Sequence, residues 1–185
     1  MAGRGDATDN RNAAFATFYR ENLDDVYRYC YFRLGSREAA EDATSEIFAK
    51  ALSSFETFRG QGSRRSWLFS IAHNAVIDLH RRKRLIVPLD EIDDIEDEGE
   101  SPESLAMSST EQAEVRALLR QLPDTQRQIL ELRLAGLTGA EIADVLGRTH
   151  ASVKIAQVRA YRTLRDLLQR HSALDGTERV IHGTD

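Results

Sequence analysis

The chain has 185 residues, enough for one ordinary domain or two small ones, and its 25 Lys and Arg stand against 30 Asp and Glu, a net charge of −5. The single cysteine, Cys30, excludes an intrachain disulfide and a Cys-rich zinc cage and suits a reducing compartment. The N-terminus lacks the apolar core of a signal peptide, no stretch approaches the roughly 20 apolar residues of a membrane span, and three prolines among Ala-, Leu-, Arg- and Glu-rich stretches favour helices, so the expectation is a cytoplasmic, all-α protein without membrane insertion.

Charge divides the chain. Residues 1–85 and 111–170 are each net +3, whereas 86–110 carry nine acids and no base. A segment that repels itself and includes Gly99 and Pro102 has little to bury, so it reads as a flexible linker. The expected organisation is a disordered N-terminus at 1–11, a helical domain at 12–85, an acidic linker at 86–110, a second helical domain at 111–170 and a flexible tail at 171–185.

In chain order, Phe15, Phe18, Tyr19, Val26, Tyr27, Cys30 and Leu34 recur at helical steps, and Gly35 is placed to end that helix. Cys30 falls inside the stripe, as a packed residue would. Ser36 caps a second helix with apolar Ala40, Ala43, Ile47, Phe48 and Ala51. Its acids Glu38, Glu41, Asp42 and Glu46 lie off that stripe, as a solvated face or a partner surface. After Gly60-Gln61-Gly62, Ser63 or Ser66 caps a third helix containing Trp67, Leu68, Ile71, Val76 and Leu79. From Arg59 to Arg84 there are seven basic residues and one acid, Asp78. Aromatics Phe55, Phe58, Trp67 and Phe69 border this patch, a combination that suits the backbone and unstacked bases of a single nucleic-acid strand, or else a core beside a basic helix end.

Leu122-Pro123-Asp124 stops one helix and caps the next, which carries Ile129, Leu130, Leu132, Arg133 and Leu134. Thr138 and Glu141 then form a capping-box pattern, Ile142 and Leu146 point inward, and Gly147 suits a left-handed turn before a last helix from about His150. On that helix Val153, Ala156, Ala160, Leu164 and Leu167 share one side, and Lys154, Ile155, Val158, Arg159 and Arg162 the other. This is the helix-turn-helix pattern, with basic side chains for phosphates and guanine edges and outward Ile155 and Val158 for thymine methyls.

The ordered set resembles a bacterial RNA polymerase sigma factor of the sigma-70 family, extracytoplasmic-function (ECF) group. Ala40-Glu41-Asp42-Ala43-Thr44-Ser45-Glu46-Ile47-Phe48 is similar to the family's polymerase-binding helix. Phe58-Arg59-Gly60, Trp67 to Asn74 and Asp78 to Arg82 are similar to its minus-ten segment. Leu122-Pro123, Arg127, Glu141-Ile142-Ala143, Leu146-Gly147, Val153-Lys154 and Arg159-Ala160 are similar to its minus-thirty-five domain.

The resemblance implies a region 2 domain of three to four helices and a region 4 helix-turn-helix domain. It also implies no catalysis by this chain, no cofactor, no metal and no small-molecule substrate. Implied partners are RNA polymerase core, through its beta-prime clamp and beta flap, promoter DNA, and an anti-sigma factor. Glu41, Asp42, Glu46 and Phe48 would bind core. Arg59, Trp67, Asn74, Asp78, Arg81 and Arg82 would hold the melted minus-ten element, and Arg148, Ser152, Lys154, Ile155, Val158, Arg159 and Arg162 the minus-thirty-five element. The acidic linker, with the charge sign of RNA, would occupy the RNA channel.

The chain departs from the family pattern at Ser45, where Gln is usual, at Ala156, where Arg is common, and at His73, another common Arg position. His73 and His80 share a helical face but lack a third metal ligand. Two rivals remain on these residues alone: a helix-turn-helix regulator that never joins polymerase, and an interaction adaptor.

Overall fold

A computed structural model describes residues 4–60, 62–86 and 109–181, with side chains placed at 11–60, 62–82, 111 and 113–170. Among the described residues there are seven α-helices and no strand: α1 (Arg4–Leu34), α2 (Arg37–Ser54), α3 (Arg64–Ile86), α4 (Ser109–Arg120), α5 (Asp124–Leu134), α6 (Gly139–Leu146) and α7 (His150–Ile181). The all-α expectation holds. The acidic linker lies outside the described residues except at its two ends, as do the side chains of Lys83 and Arg84.

Local chemistry sets most helix ends. Gly35 stops α1 with φ of +77°, a left-handed conformation that a side chain would strain, and Ser36 Oγ starts α2 by accepting from the Ala39 amide at 3.3 Å. At α3 the cap is Ser63, whose Oγ accepts from the Ser66 amide at 3.0 Å, while Ser66 itself sits in the first turn. Pro123, not Asp124, occupies the cap position of α5. Asp124 is already helical and pairs with Arg127 at 2.5 Å.

Helix α1 begins at Arg4 and α7 runs to Ile181, so both helices extend into the segments expected to be the terminal tails. Once a helix is nucleated, each added residue brings a hydrogen bond without repeating the nucleation cost.

Helices α1, α2 and α3 close around Val26, Cys30, Ile47, Leu68 and Val76, each excluded from water. At one end Phe55 packs against Phe15 and Phe18, with ring centroids 5.2 and 5.3 Å apart. In the second half, Ile129, Leu132, Leu137, Ile142 and Val153 are fully buried between α5, α6 and α7, and Leu119, Leu122, Leu130, Ala160 and Leu167 tie α4 to α5 and α7. The halves also meet. Helix α6 packs along α3 and α5 against α1, and buried side chains of both halves form one continuous core. Helix α1 is therefore covered from two sides, which is why Tyr29 and Tyr31, off its expected stripe, are buried.

Candidate nucleic-acid and partner interfaces

The turn between α6 and α7 is built by short-range bonds. Thr138 Oγ1 accepts from the Glu141 amide at 3.3 Å, and the Thr138 amide donates to Glu141 Oε2 at 2.9 Å. Partial burial pushes the Glu141 carboxyl up, but the hydrogen bonds from Thr138 and Ser63 outweigh it and hold the group below its ordinary range. Gly147 turns the chain at φ +60°, and Thr149 Oγ1 accepts from the Ser152 amide at 3.2 Å to start α7. Val153 and Ala160 are then fully buried, which directs Lys154, Ile155, Val158, Arg159 and Arg162 outward. Ile155 and Val158 are each 55% exposed. Arg148 is also exposed, beside Thr125 at 3.5 Å. Ser152 is half-buried, its Oγ donating to the Thr149 carbonyl at 2.8 Å, so it belongs to the helix start more than to the outward arc.

On α3, Trp67, Asn74, Asp78 and Arg81 are spaced by seven, four and three residues, which puts them on one face, with Arg82 beside them. Asn74, Arg81 and Arg82 are exposed, and Asp78 pairs with Arg81 at 3.2 Å. Trp67 is half-buried against Phe58, centroids 5.1 Å apart, and Arg59 is exposed in the preceding loop. The aromatics divide: Phe55 and Phe69 are core, whereas Phe58 and Trp67 reach the surface. His73 points the other way. It is buried, its Nδ1 lies 2.9 Å from the Tyr29 hydroxyl, and burial pulls its pKa down to about 4, so it is neutral at pH 7. His80 Nε2 donates to the Arg33 carbonyl at 3.1 Å. No cluster of three metal-ligating side chains occurs among the described residues.

On α2, Glu41, Asp42 and Glu46 face solvent. Glu41 pairs with Arg37 at 2.9 Å, and the Lys50 ammonium, 2.6 Å from Glu46, holds that carboxyl below its usual range. Phe48 is buried against Tyr19, centroids 4.6 Å apart, because α1 covers its face of the helix. It floors a cleft of about 290 Å3 that Tyr19, Tyr27, Asp24, Glu41 and Ser45 complete. Cys30 is wholly buried, and burial pushes its thiol up to about 12, so it is an inert packing residue.

Two family patterns match: sigma-70 region 2 over residues 18–86, and sigma-70 region 4 over 112–164. The chain is 40% identical over 159 residues to the ECF RNA polymerase sigma factor BldN of Streptomyces coelicolor, spanning 84% of this chain and 60% of BldN. It is 34% identical over 154 residues to the ECF sigma factor ShbA of Streptomyces griseus subsp. griseus, spanning 77% of this chain and 81% of ShbA. The chain belongs to the ECF sigma factors. Its fold is similar to that of CnrH, solved in complex with the cytosolic domain of CnrY, with a TM-score of 0.67, 22% identity, and coverage of 86% of this chain and 90% of that one. As a sigma factor the chain is a polymerase-binding, promoter-specific initiation factor, which removes the stand-alone regulator. Sigma factors are a non-enzymatic class. Among the described residues no helix is long and apolar enough to cross a membrane.

What sequence reasoning about this sigma factor missed is the polar contact between its halves. Arg33 of α1 and Glu131 of α5 pair at 2.7 Å with side chains 7% and 4% exposed. Burial acts against both charges. At Arg33 the carboxylate more than offsets that, and at Glu131 burial prevails and raises the carboxyl despite the guanidinium. Arg65 bridges Asp25 at 2.8 Å and the Ala135 carbonyl at 3.1 Å, and Ser63 Oγ donates to Glu141 at 3.1 Å. The one hint in the sequence is Glu131 standing among Ile129, Leu130 and Leu132, a placement that a solvated face of α5 explains equally well.

Proposed function

We propose that this sigma factor divides its work between a domain at 12–85 and a domain at 111–170, joined by an acidic linker at 86–110. The second domain reads the minus-thirty-five element with the outward arc of α7. Lys154 and Arg159 reach guanine edges, Ile155 and Val158 meet thymine methyls, and Arg148 and Arg162 hold phosphates, with Ser152 fixing the start of the helix. The first domain binds the melted minus-ten strand along α3. Arg59, Arg81 and Arg82 engage its backbone, Asn74 and Asp78 its bases, and Trp67 stands where the duplex opens. Glu41, Asp42 and Glu46 dock on the beta-prime clamp of the polymerase core over the floor that Phe48 provides, and the second domain also meets the beta flap.

The observation that carries this reading is the pairing of a capped, glycine-turned helix-turn-helix with two apolar residues standing in water among basic ones at the start of α7. Exposed Ile155 and Val158 gain nothing in a free protein and gain burial against a groove. The reading is binding throughout and asks for no reaction, cofactor or metal at this chain. Cytoplasmic location and an anti-sigma partner go with it, the latter supported by a solved structure of similar fold, the sigma factor RpoE in complex with the anti-sigma factor NepR from Bartonella quintana. The test is transcription from a promoter library with purified core polymerase. Initiation at defined start sites, lost in the Lys154→Ala, Arg159→Ala double variant, supports the reading, and absence of specific initiation with the wild type refutes it.

A further inference from the structure

Helix α7 carries a phenol that the outward arc read from the sequence does not include. Tyr161 stands three residues after Val158 and seven after Lys154, so the three share one row of the helix surface, and it is 46% exposed. Packing of α7 in this stretch falls to its neighbours, buried Ala160 and Leu167 and half-buried Leu164, which join Leu119 and Leu130. The Tyr161 hydroxyl is held from within the helix: half-buried Gln157 donates its Nε2 proton to Tyr161 Oη at 3.3 Å. A hydroxyl that accepts from an amide turns its own proton away from that amide, and among the described residues none accepts this proton. The surroundings favour an anion as its acceptor. Lys154, Arg162 and Arg165 are exposed on the same side, whereas Asp166, the one acid between Arg148 and Arg170, lies five residues on and about 140° round the helix.

We propose that Tyr161 is a phosphate contact of the minus-thirty-five interface and that Gln157 is the positioning residue that sets its hydroxyl, an inference that rests on the promoter reading above. The register follows from the dimensions of helix and groove. Residues at the start of a recognition helix meet base edges. Tyr161 is about 10 Å further along the axis than Lys154, at about 1.5 Å per residue, nearly the width of a major groove of about 12 Å. With Lys154 on a base edge, the phenol has therefore reached the rim of the groove, where the acceptors are phosphate oxygens and tyrosine hydroxyls serve as donors. A neutral donor differs from Arg162 beside it. It adds a hydrogen bond without displacing a counterion, so it raises affinity equally at every salt concentration and on every sequence.

The test is equilibrium binding of core polymerase carrying this sigma factor to a labelled promoter fragment found by transcription, repeated from low to high salt. Tyr161→Phe keeps the ring and loses only the hydroxyl. It is expected to weaken binding about tenfold, by the same factor at each salt concentration and on fragments with single-base changes in the outer element. Arg162→Ala is expected instead to lower the salt slope by about 1. Gln157→Leu is expected to weaken binding about threefold in the wild type and not at all in the Tyr161→Phe background, because it acts only through that hydroxyl. A Tyr161→Phe protein that binds as the wild type does overturns the proposal, as does a loss that alters the salt slope or the base preference, or one that arises from weaker joining of core polymerase. A Gln157→Leu effect that persists without the hydroxyl overturns the positioning role. The Lys154→Ala, Arg159→Ala variant separates the two readings. If it binds the promoter as the wild type does, the promoter reading falls, and if it loses binding while Tyr161→Phe does not, the phosphate contact alone falls.

Discussion

Two pairs of residues stand where their chemistry does not favour them in an isolated domain. Ile155 and Val158 are apolar and more than half exposed, whereas Arg33 and Glu131 are charged and almost wholly buried. The first pair lies on the arc of α7 directed outward by buried Val153 and Ala160, and its partner is outside the chain. The second joins α1 to α5, and its partner is the other half of the same chain. The contrast shows that misplaced polarity points to an interface in either direction, and that burial decides whether the interface is already made.

The largest break in this contrast comes from Glu131→Ala, which leaves Arg33 buried and unpaired. A loss of about 3–5 kcal/mol in urea unfolding is expected, against less than about 0.5 kcal/mol for Ile155→Ala. Similar losses for the two would erase the distinction. The next effect concerns His73, whose folded pKa is held at about 4 by burial, below its ordinary 6.5. A depressed histidine contributes stability that is complete above pH 6.5 and is lost as the pH falls through 4, about 3 kcal/mol in all. Unfolding midpoints measured from pH 7 to 4 should therefore fall more steeply for the wild type than for His73→Phe, and parallel profiles would show that His73 does not take part. The smallest effect sharpens the local side. Thr138→Ala removes the cap of α6 and should cost about 1 kcal/mol in thermal unfolding, and an unchanged midpoint would show that the cap adds nothing.

Legibility in the sequence followed the range of the interaction. The turn from Thr138 to Gly147 depends on residues within one or two turns of each other, so cap, glycine and outward arc were all readable and all formed as expected. The same holds for Gly35 and Ser36. Periodicity did less well on α1, because a helix covered from two sides has no single stripe, and Tyr29 and Tyr31 fell outside the one that was read. Phe48 lies on the apolar stripe of α2, as its spacing from Ala40, Ala43, Ile47 and Ala51 predicts, and the Tyr19 ring from another helix covers it. The Arg33–Glu131 pair joins side chains 98 positions apart, and only the acid in the α5 run hinted at it.

The most direct test of the central claim is a footprint of core polymerase carrying this sigma factor on a promoter found by transcription, with permanganate marking unpaired thymines. Protection of both upstream elements with reactive thymines at the inner one is the predicted result, and the Lys154→Ala, Arg159→Ala variant should lose the outer protection first. Protection with no unpaired bases, or a footprint unchanged by the double substitution, would contradict the account.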